Sequence, residues 1–311
     1  MNTVSLVFIG LLQAVALLAA APMLSGMSRV LRAKFHSRRG PGVLQDYRDL
    51  RKLLARQEIV PPAAGMIFLV TPYILLAAML LVAMVIPTIV MHSPIAGAGD
   101  LVTVIYLFAV GRFFFALCGI DSGSIFAGIG ASRETTLAVL NEPVMMLSLF
   151  VVALLAHSTN LGVISASIFT GRTPGYAATA MAMLAFAFAI FVEMGKLPLD
   201  LAEAEQELQE GPLTEYSGRA LALMKWGLYL KQTVTVALFI AIFLPFGAAT
   251  SLAPLSIALA VLVLGAKLVV AFVAISFVEN TMARIRFLDS SRLTFVAASA
   301  AVLAFAFSLA E

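Results

Sequence analysis

Residues 66–91 read MIFLVTPYILLAAMLLVAMVIPTIVM, without one charged side chain. A helix needs about 20 apolar residues to cross the hydrocarbon core of a bilayer, where backbone groups must be bonded within the segment. This stretch meets that length, and comparable runs recur along the whole chain. Spanning helices are expected at Val4–Val30, Met66–Met91, Leu101–Ile120, Leu137–Ala156, Tyr176–Met194, Leu221–Phe246, Pro254–Asn280 and Leu293–Ala310. The sixth is the weakest, because Lys225 and Lys231 interrupt its first half. Across 311 residues, 61% are apolar and only 12% charged. That charged share is about half the usual figure for a soluble domain. The expected fold is all-α: a polytopic integral membrane protein, one transmembrane domain over residues 1–311 with charged loops at 36–58 and 195–220. No Lys or Arg precedes Arg29, so the first apolar run reads as a retained helix and not a cleaved signal.

The cations set the orientation. Of the 20 Lys and Arg, 17 fall in the loops after spans one, three, five and seven, or at the adjoining span ends. The opposite loops hold only Arg172, while Arg112 and Lys267 fall inside spans. The positive-inside rule then places the charged loops in the cytoplasm and both termini in the periplasm. One cysteine and three histidines at unrelated positions offer no metal-ligand spacing. The chain is expected to bind no cofactor of its own, and nothing in it suggests nucleic acid.

The first charged loop, His36–Glu58, turns at Gly40-Pro41-Gly42. Val43, Leu44, Tyr47, Leu50, Leu53 and Leu54 then recur at helical spacing, which predicts an amphipathic helix. Its basic side chains, with Arg38, Arg39, Arg48, Arg51 and Lys52 foremost, suit either anionic membrane lipid or a docked cytoplasmic partner. The second loop carries six carboxylates between Lys196 and Arg219, with no cation among them: Asp200, Glu203, Glu205, Glu207, Glu210 and Glu215. Asp200 and Glu203 have capping-box spacing after Pro198, so a short helix is expected from there to about Gly211-Pro212. Glu203, Glu207 and Glu210 would share one face, where like charges repel unless cations meet them or protons are shared.

Glu142 inside span four, Glu193 at the end of span five and Glu279 near the end of span seven are carboxylates in the bilayer. Ionised groups there must face inward and pair. With the acidic loop they compose a chain suited to proton relay, since neighbouring carboxylates move each other's titration. Static ion pairs that lock helices are the alternative. Arg112 and Lys267 are the expected counter-charges. No catalytic triad or phosphate loop is present. The glycines of GSIFAGIGAS (123–132) read as a turn or a close helix contact, and Phe113-Phe114-Phe115 as packing.

These landmarks resemble the family of the complex I membrane subunit that adjoins the quinone site, with its relatives in membrane-bound [NiFe] hydrogenases. The resemblance covers essentially the whole chain. It rests on Arg38-Arg39-Gly40-Pro41 before the Gln45–Lys52 helix, and on Gly130-Ala131-Ser132-Arg133 with Glu142 nine residues after the arginine. It rests further on Glu193, Lys196, Pro198, DLAEAEQEL (200–208) and TEYSG (214–218). GPGVLQDYRDLRKLLARQE (40–58), RFFFALCGIDSGS (112–124), FVEMGKLPLDLAEAEQELQEGPLTEYSG (191–218) and MKWGLYLKQ (224–232) are more similar to the hydrogenase-4 and formate hydrogenlyase branch. The first loop lacks the longer Gly-Pro insert of complex I, and Lys196 stands where complex I usually has arginine. Both departures weigh against quinone binding.

The resemblance implies an eight-helix anchor for a [NiFe] large subunit, a small iron–sulfur subunit and a ferredoxin-like subunit. The [NiFe] centre and iron–sulfur clusters would belong to those partners. Antiporter-like subunits would lie beside it in the bacterial inner membrane, with formate dehydrogenase as a further partner. It also implies a proton or electrostatic coupling chain of Glu142, Glu193, Glu203, Glu205 and Glu207, with Arg133 and Lys196 as counter-charges. A quinone-site complex I subunit, a purely structural anchor and a free-standing secondary transporter are the competing readings. The last is weakened by the lack of an internal repeat.

Overall fold

The computed structural model describes residues 3–95, 97–173, 175–201, 205–251, 253–283 and 285–310. Its helices are α1 (Thr3–Phe35), α2 (Gln45–Leu54), α3 (Met66–Val85), α4 (Leu101–Asp121), α5 (Ile125–Leu155), α6 (Leu161–Phe169), α7 (Tyr176–Glu193), α8 (Glu205–Leu208), α9 (Gly218–Phe243), α10 (Pro254–Thr281) and α11 (Phe287–Ala310). Among the described residues eight helices are long and apolar enough to cross a membrane: α1, α3, α4, α5, α7, α9, α10 and α11. The chain is a multi-pass all-α membrane protein. Its charged loops share one end of the bundle, and α6 lies at the other.

α9 is the most enclosed span. It packs on α1, α3, α7 and α10, with α2 against its charged end. α4 and α5 extend the bundle from α3, and α7 and α11 close on α5. α10 and α11 occupy different flanks: α10 lies on α1 and α9, α11 on α5 and α7.

Three spans contain proline, which cannot donate to the carbonyl four residues earlier. Lipid offers no donor in its place. Two of these carbonyls are met from elsewhere in the fold. The Trp226 indole donates to the Leu18 carbonyl that Pro22 frees, at 3.0 Å. The Tyr216 hydroxyl donates to the Phe68 carbonyl that Pro72 frees, at 2.7 Å. The Tyr216 ring also stacks on Phe68, with centroids 3.9 Å apart. Burial pushes the Tyr216 hydroxyl far above its ordinary range, so it stays a donor. Gln13 caps the far end of α3 in the same manner. Its amide nitrogen donates to Ala83 and Ile86 carbonyls at 2.6 and 2.7 Å, and its oxygen accepts from Ile89 N–H at 3.3 Å.

Several boundaries depart from the sequence expectation. α5 starts at Ile125, a dozen residues before the expected Leu137, so Glu142 lies near the middle of a long helix. Gly119 permits the tight α4–α5 corner, where a Cβ would come within 2.7 Å of the Ala127 carbonyl. α2 forms, and half of the expected apolar residues turn inward: Leu50 is buried and Tyr47 and Leu53 are half-buried, while Val43, Leu44 and Leu54 stay exposed and Asp46 is buried in addition. The reason is an ion pair, Asp46 with Arg29 of α1, supported by the Tyr47 hydroxyl donating to the Ala19 carbonyl. Among the described residues the acidic helix is α8, and it ends at Leu208 because Gln209 and Glu210 adopt left-handed backbone and lead into a 3-10 turn at Gly211–Leu213.

The two charged loops are stitched together. Ile59 N–H donates to the Ser217 hydroxyl at 2.8 Å, and that hydroxyl donates to the Ile59 carbonyl at 3.0 Å. Gly218 has φ +51°, and a Cβ there would lie 2.4 Å from the Gln57 carbonyl oxygen. Glycine is therefore required where these loops cross.

Candidate functional site

Glu193 ends α7 and is buried. One carboxylate oxygen accepts from Arg112 of α4 at 3.0 Å, and the other lies 2.9 Å from the Lys231 ammonium of α9. The second guanidinium nitrogen of Arg112 reaches Glu142 of α5 at 2.6 Å. Lys231 also lies 3.8 Å from Glu134 of α5. The result is an alternating chain inside the membrane: Glu134, Lys231, Glu193, Arg112, Glu142. Four spans contribute to it. Two cations face three carboxylates, which leaves the chain one negative charge in excess.

A cavity of about 50 Å³ lies against this chain, lined by Glu134, Asn141, Glu193, Lys231, Gln232 and Asp200 among others. Asn141 donates to the Ala189 carbonyl at 3.0 Å and Gln232 to the Met194 carbonyl at 2.9 Å. Their side-chain oxygens are buried and meet no donor among the described residues. A polar space of this size accommodates water, which such acceptors would hold. Asp200, Gly195, Leu228 and Gln232 also line a larger cleft of about 470 Å³ at the charged end, between α1, α2, α9 and α10. The cleft is walled by charge: Arg29, Arg32, Asp49, Lys52, Lys196, Glu210, Lys225 and Glu279.

The acidic loop finds its cations on the same helices. Arg133 of α5 bonds Glu207 at 2.8 Å, and Lys225 of α9 bonds Glu210 at 3.3 Å. The left-handed turn after α8 separates these two glutamates, which were expected on one helix face. Glu203 lies outside the described residues, as does the side chain of Glu205. Asp200 lies between the cavity and the cleft, and Lys196 lines the cleft. Arg38, Arg39, Arg48, Arg51 and Lys52 are all exposed at the charged end.

One expectation needs correction. Lys267 does not serve as a counter-charge to the glutamates. Its ammonium donates to the Leu244 carbonyl at 2.6 Å and to that of Phe246, where α9 has ended. A cation there meets the negative end of the α9 dipole. Glu279 stands apart from the chain, buried and paired with Arg32 of α1. Lys231 and Glu134 were missed as members of the site. Lys231 interrupts an apolar run, which is itself the signal of a paired intramembrane charge. Glu134 was hidden by placing the start of span four too late. Among the described residues no group of three or more His, Cys, Asp or Glu is placed to hold a metal ion.

The family model described as NADH dehydrogenase matches residues 7–309. The chain belongs to this family. Among its relatives, hydrogenase-4 component C of Escherichia coli is 52% identical, over 98% of this chain and 96% of the relative. Formate hydrogenlyase subunit 4 of the same organism is 48% identical, over 96% and 98%. NADH-quinone oxidoreductase subunit 8 of Rhodothermus marinus is 29% identical, over 73% and 68%. A chain in the structure of the membrane-bound sulfane sulfur reductase, an archaeal respiratory membrane complex, shares the fold. Its TM-score is 0.81 at 21% identity, over 96% of this chain and 99% of that one. The chain is thus a family member of the kind found in multi-subunit oxidoreductase complexes.

Removing one partner from a buried ion pair leaves an uncompensated charge, at a cost of about 3 kcal/mol. Lys231→Met is expected to destabilise the detergent-purified chain by that order, read as a lower thermal unfolding midpoint. An unchanged midpoint would show that Lys231 does not neutralise Glu193.

Proposed function

We propose that this chain is the membrane-anchoring and proton-coupling subunit of a membrane-bound [NiFe] hydrogenase complex of the formate hydrogenlyase type. It lies in the bacterial inner membrane, with its charged loops in the cytoplasm and both termini in the periplasm. The exposed cations of the first loop dock a soluble module of [NiFe] large subunit, small subunit and ferredoxin-like subunit, fed with electrons by formate dehydrogenase. Antiporter-like subunits adjoin it in the membrane. The redox centres belong to the partners.

The observation that carries this reading is the course of the ion-pair chain. It begins at a cavity that shares lining residues with the cleft beneath the docking loops. It runs through Glu193 and Arg112 to Glu142, which is 35% exposed on the flank of the bundle. Protons taken up at the cleft pass by way of Asp200 and the cavity to the chain. The extra proton it accommodates moves as Arg112 and Lys231 change which carboxylate they neutralise. The relatives in hydrogenase-4 and formate hydrogenlyase support the choice of complex.

The quinone reading draws support from the size of the cleft. Its walls argue against it: organic ligand sites are predominantly apolar with few polar groups, and this cleft is lined by at least nine charged side chains. A static anchor would keep the pairs fixed.

Two experiments test the assignment. Reversing Arg48, Arg51 and Lys52 to Glu should strip the soluble hydrogenase module from the affinity-purified membrane complex at low salt. Undiminished co-purification would leave these cations with only a lipid-facing role. Glu193→Gln keeps shape and loses the titration. The assembled variant should evolve H2 with proton movement into vesicles cut by about a hundredfold or more, the scale of a lost proton-transfer group. Undiminished proton movement in an assembled complex would make the ion pairs purely structural.

A further inference from the structure

The loops opposite the charged end hold a single Lys or Arg, Arg172, just after α6. It is exposed, and among the described residues it meets no carboxylate. Asp100, a carboxylate of the same end, caps α4 instead and accepts from Val102 N–H at 3.2 Å. A cavity of about 430 Å³ opens beside Arg172, between α6 and the segment after α3. His92, Ser93, Val163, Ser167, Thr170 and Arg172 line it, and among the described residues no carboxylate does. Ser93 and Thr170 already donate to backbone carbonyls, at 2.8 and 2.9 Å. The N–H groups that open α6 are also occupied: the Asn160 side-chain oxygen accepts from Gly162 and Val163 at 3.0 and 3.3 Å. The Arg172 guanidinium, the His92 imidazole and the Ser167 hydroxyl remain, all without a partner among the described residues. One of them is a permanent cation. Apolar surface continues from the rim: Val163 and Phe169 of α6 are exposed, and Phe169 packs on the exposed Phe246 beyond α9, with ring centroids 6.2 Å apart.

We propose that this cavity holds the phosphodiester headgroup of an anionic phospholipid, with its acyl chains along Val163, Phe169 and Phe246. Arg172 grips the phosphate oxygens in the bidentate manner of a guanidinium, and His92 and Ser167 each add a donor. The volume falls within the range of ligand sites and exceeds what inorganic phosphate alone would fill. In the proposed orientation this lipid belongs to the periplasmic leaflet, on the side where loop cations are sparse. Only the name of the leaflet depends on that orientation, and the site stands apart from the hydrogenase assignment.

The test reconstitutes the affinity-purified chain, with the subunits it brings, into vesicles of phosphatidylglycerol that carries a diazirine near the glycerol end of one acyl chain. Irradiation should label a peptide that contains Val163–Phe169 or Phe246. Arg172→Gln should cut that labelling by about tenfold, the effect of one lost charge-assisted hydrogen bond, and leave labelling at the charged end unchanged. Phosphatidylcholine with the same diazirine, a zwitterion, should label the site less. Equal labelling by the two lipids, or labelling that Arg172→Gln does not change, overturns the proposal. Loss of the label in excess inorganic phosphate would give the site to free phosphate and overturn the lipid as its occupant. Labelling that appears only after partner subunits are stripped away would give the cavity to one of them, with the same consequence. A chain that purifies alone contradicts the hydrogenase assignment, while the labelling still decides the lipid site.

Discussion

Glu193 has to be neutralised on both oxygens, and the bundle is arranged around that need. An ion pair inside a membrane is tolerated only when each charge faces a partner and not lipid. Glu193 comes from α7, Arg112 from α4, Lys231 from α9, and Glu134 and Glu142 from α5. None of these helices can rotate or slide by a turn without leaving a charge buried alone, at a cost of several kcal/mol. Apolar packing between spans has no such directional demand, because lipid covers apolar surface as well as protein does. The charges fix register, and the apolar contacts fill the space that register leaves.

The same helices carry the loop attachments, which couples the charged end of the molecule to its interior. Arg133, which holds Glu207, is next to Glu134 of the buried chain. Lys225, which holds Glu210, lies less than two turns from Lys231 on α9. Tyr216 ends the acidic loop and bonds the carbonyl freed by Pro72. Asp46 ties α2 to Arg29 of α1, at the edge of the cleft. A partner that changes charge or position over this cleft therefore acts on residues within a turn or two of the buried chain. At Pro22 and Pro72 a tryptophan or tyrosine from another element donates to the freed carbonyl, tying the spans together.

Much of this was legible in the chain itself, for identifiable reasons. Uncharged runs such as 66–91 leave no option but a span, and the one-sided cations mark which loops share an end. Arg112, Glu142 and Glu193 stand out because charge is rare inside spans. Legibility failed where a charge was taken as the end of an apolar run. Arg133 and Glu134 concealed the first part of α5, and Lys231 read as a weak point of its span although Glu193 holds it inside the bundle. Lys267 misled in the opposite direction, since a sequence does not reveal that carbonyls at the end of α9 lie beside it. The amphipathic pattern of α2 located the helix and its inward Tyr47, Leu50 and Leu53, but not Asp46, which is buried through its pair with Arg29.

The most direct test of whether the five-residue chain carries a proton is redox-triggered infrared difference spectroscopy of the assembled complex. Turnover should produce a protonated-carboxyl stretch that shifts on deuteration and is lost in Glu142→Gln or Glu134→Gln. Absence of that band in the parent complex, or its persistence unchanged in both variants, would contradict a mobile proton on this chain.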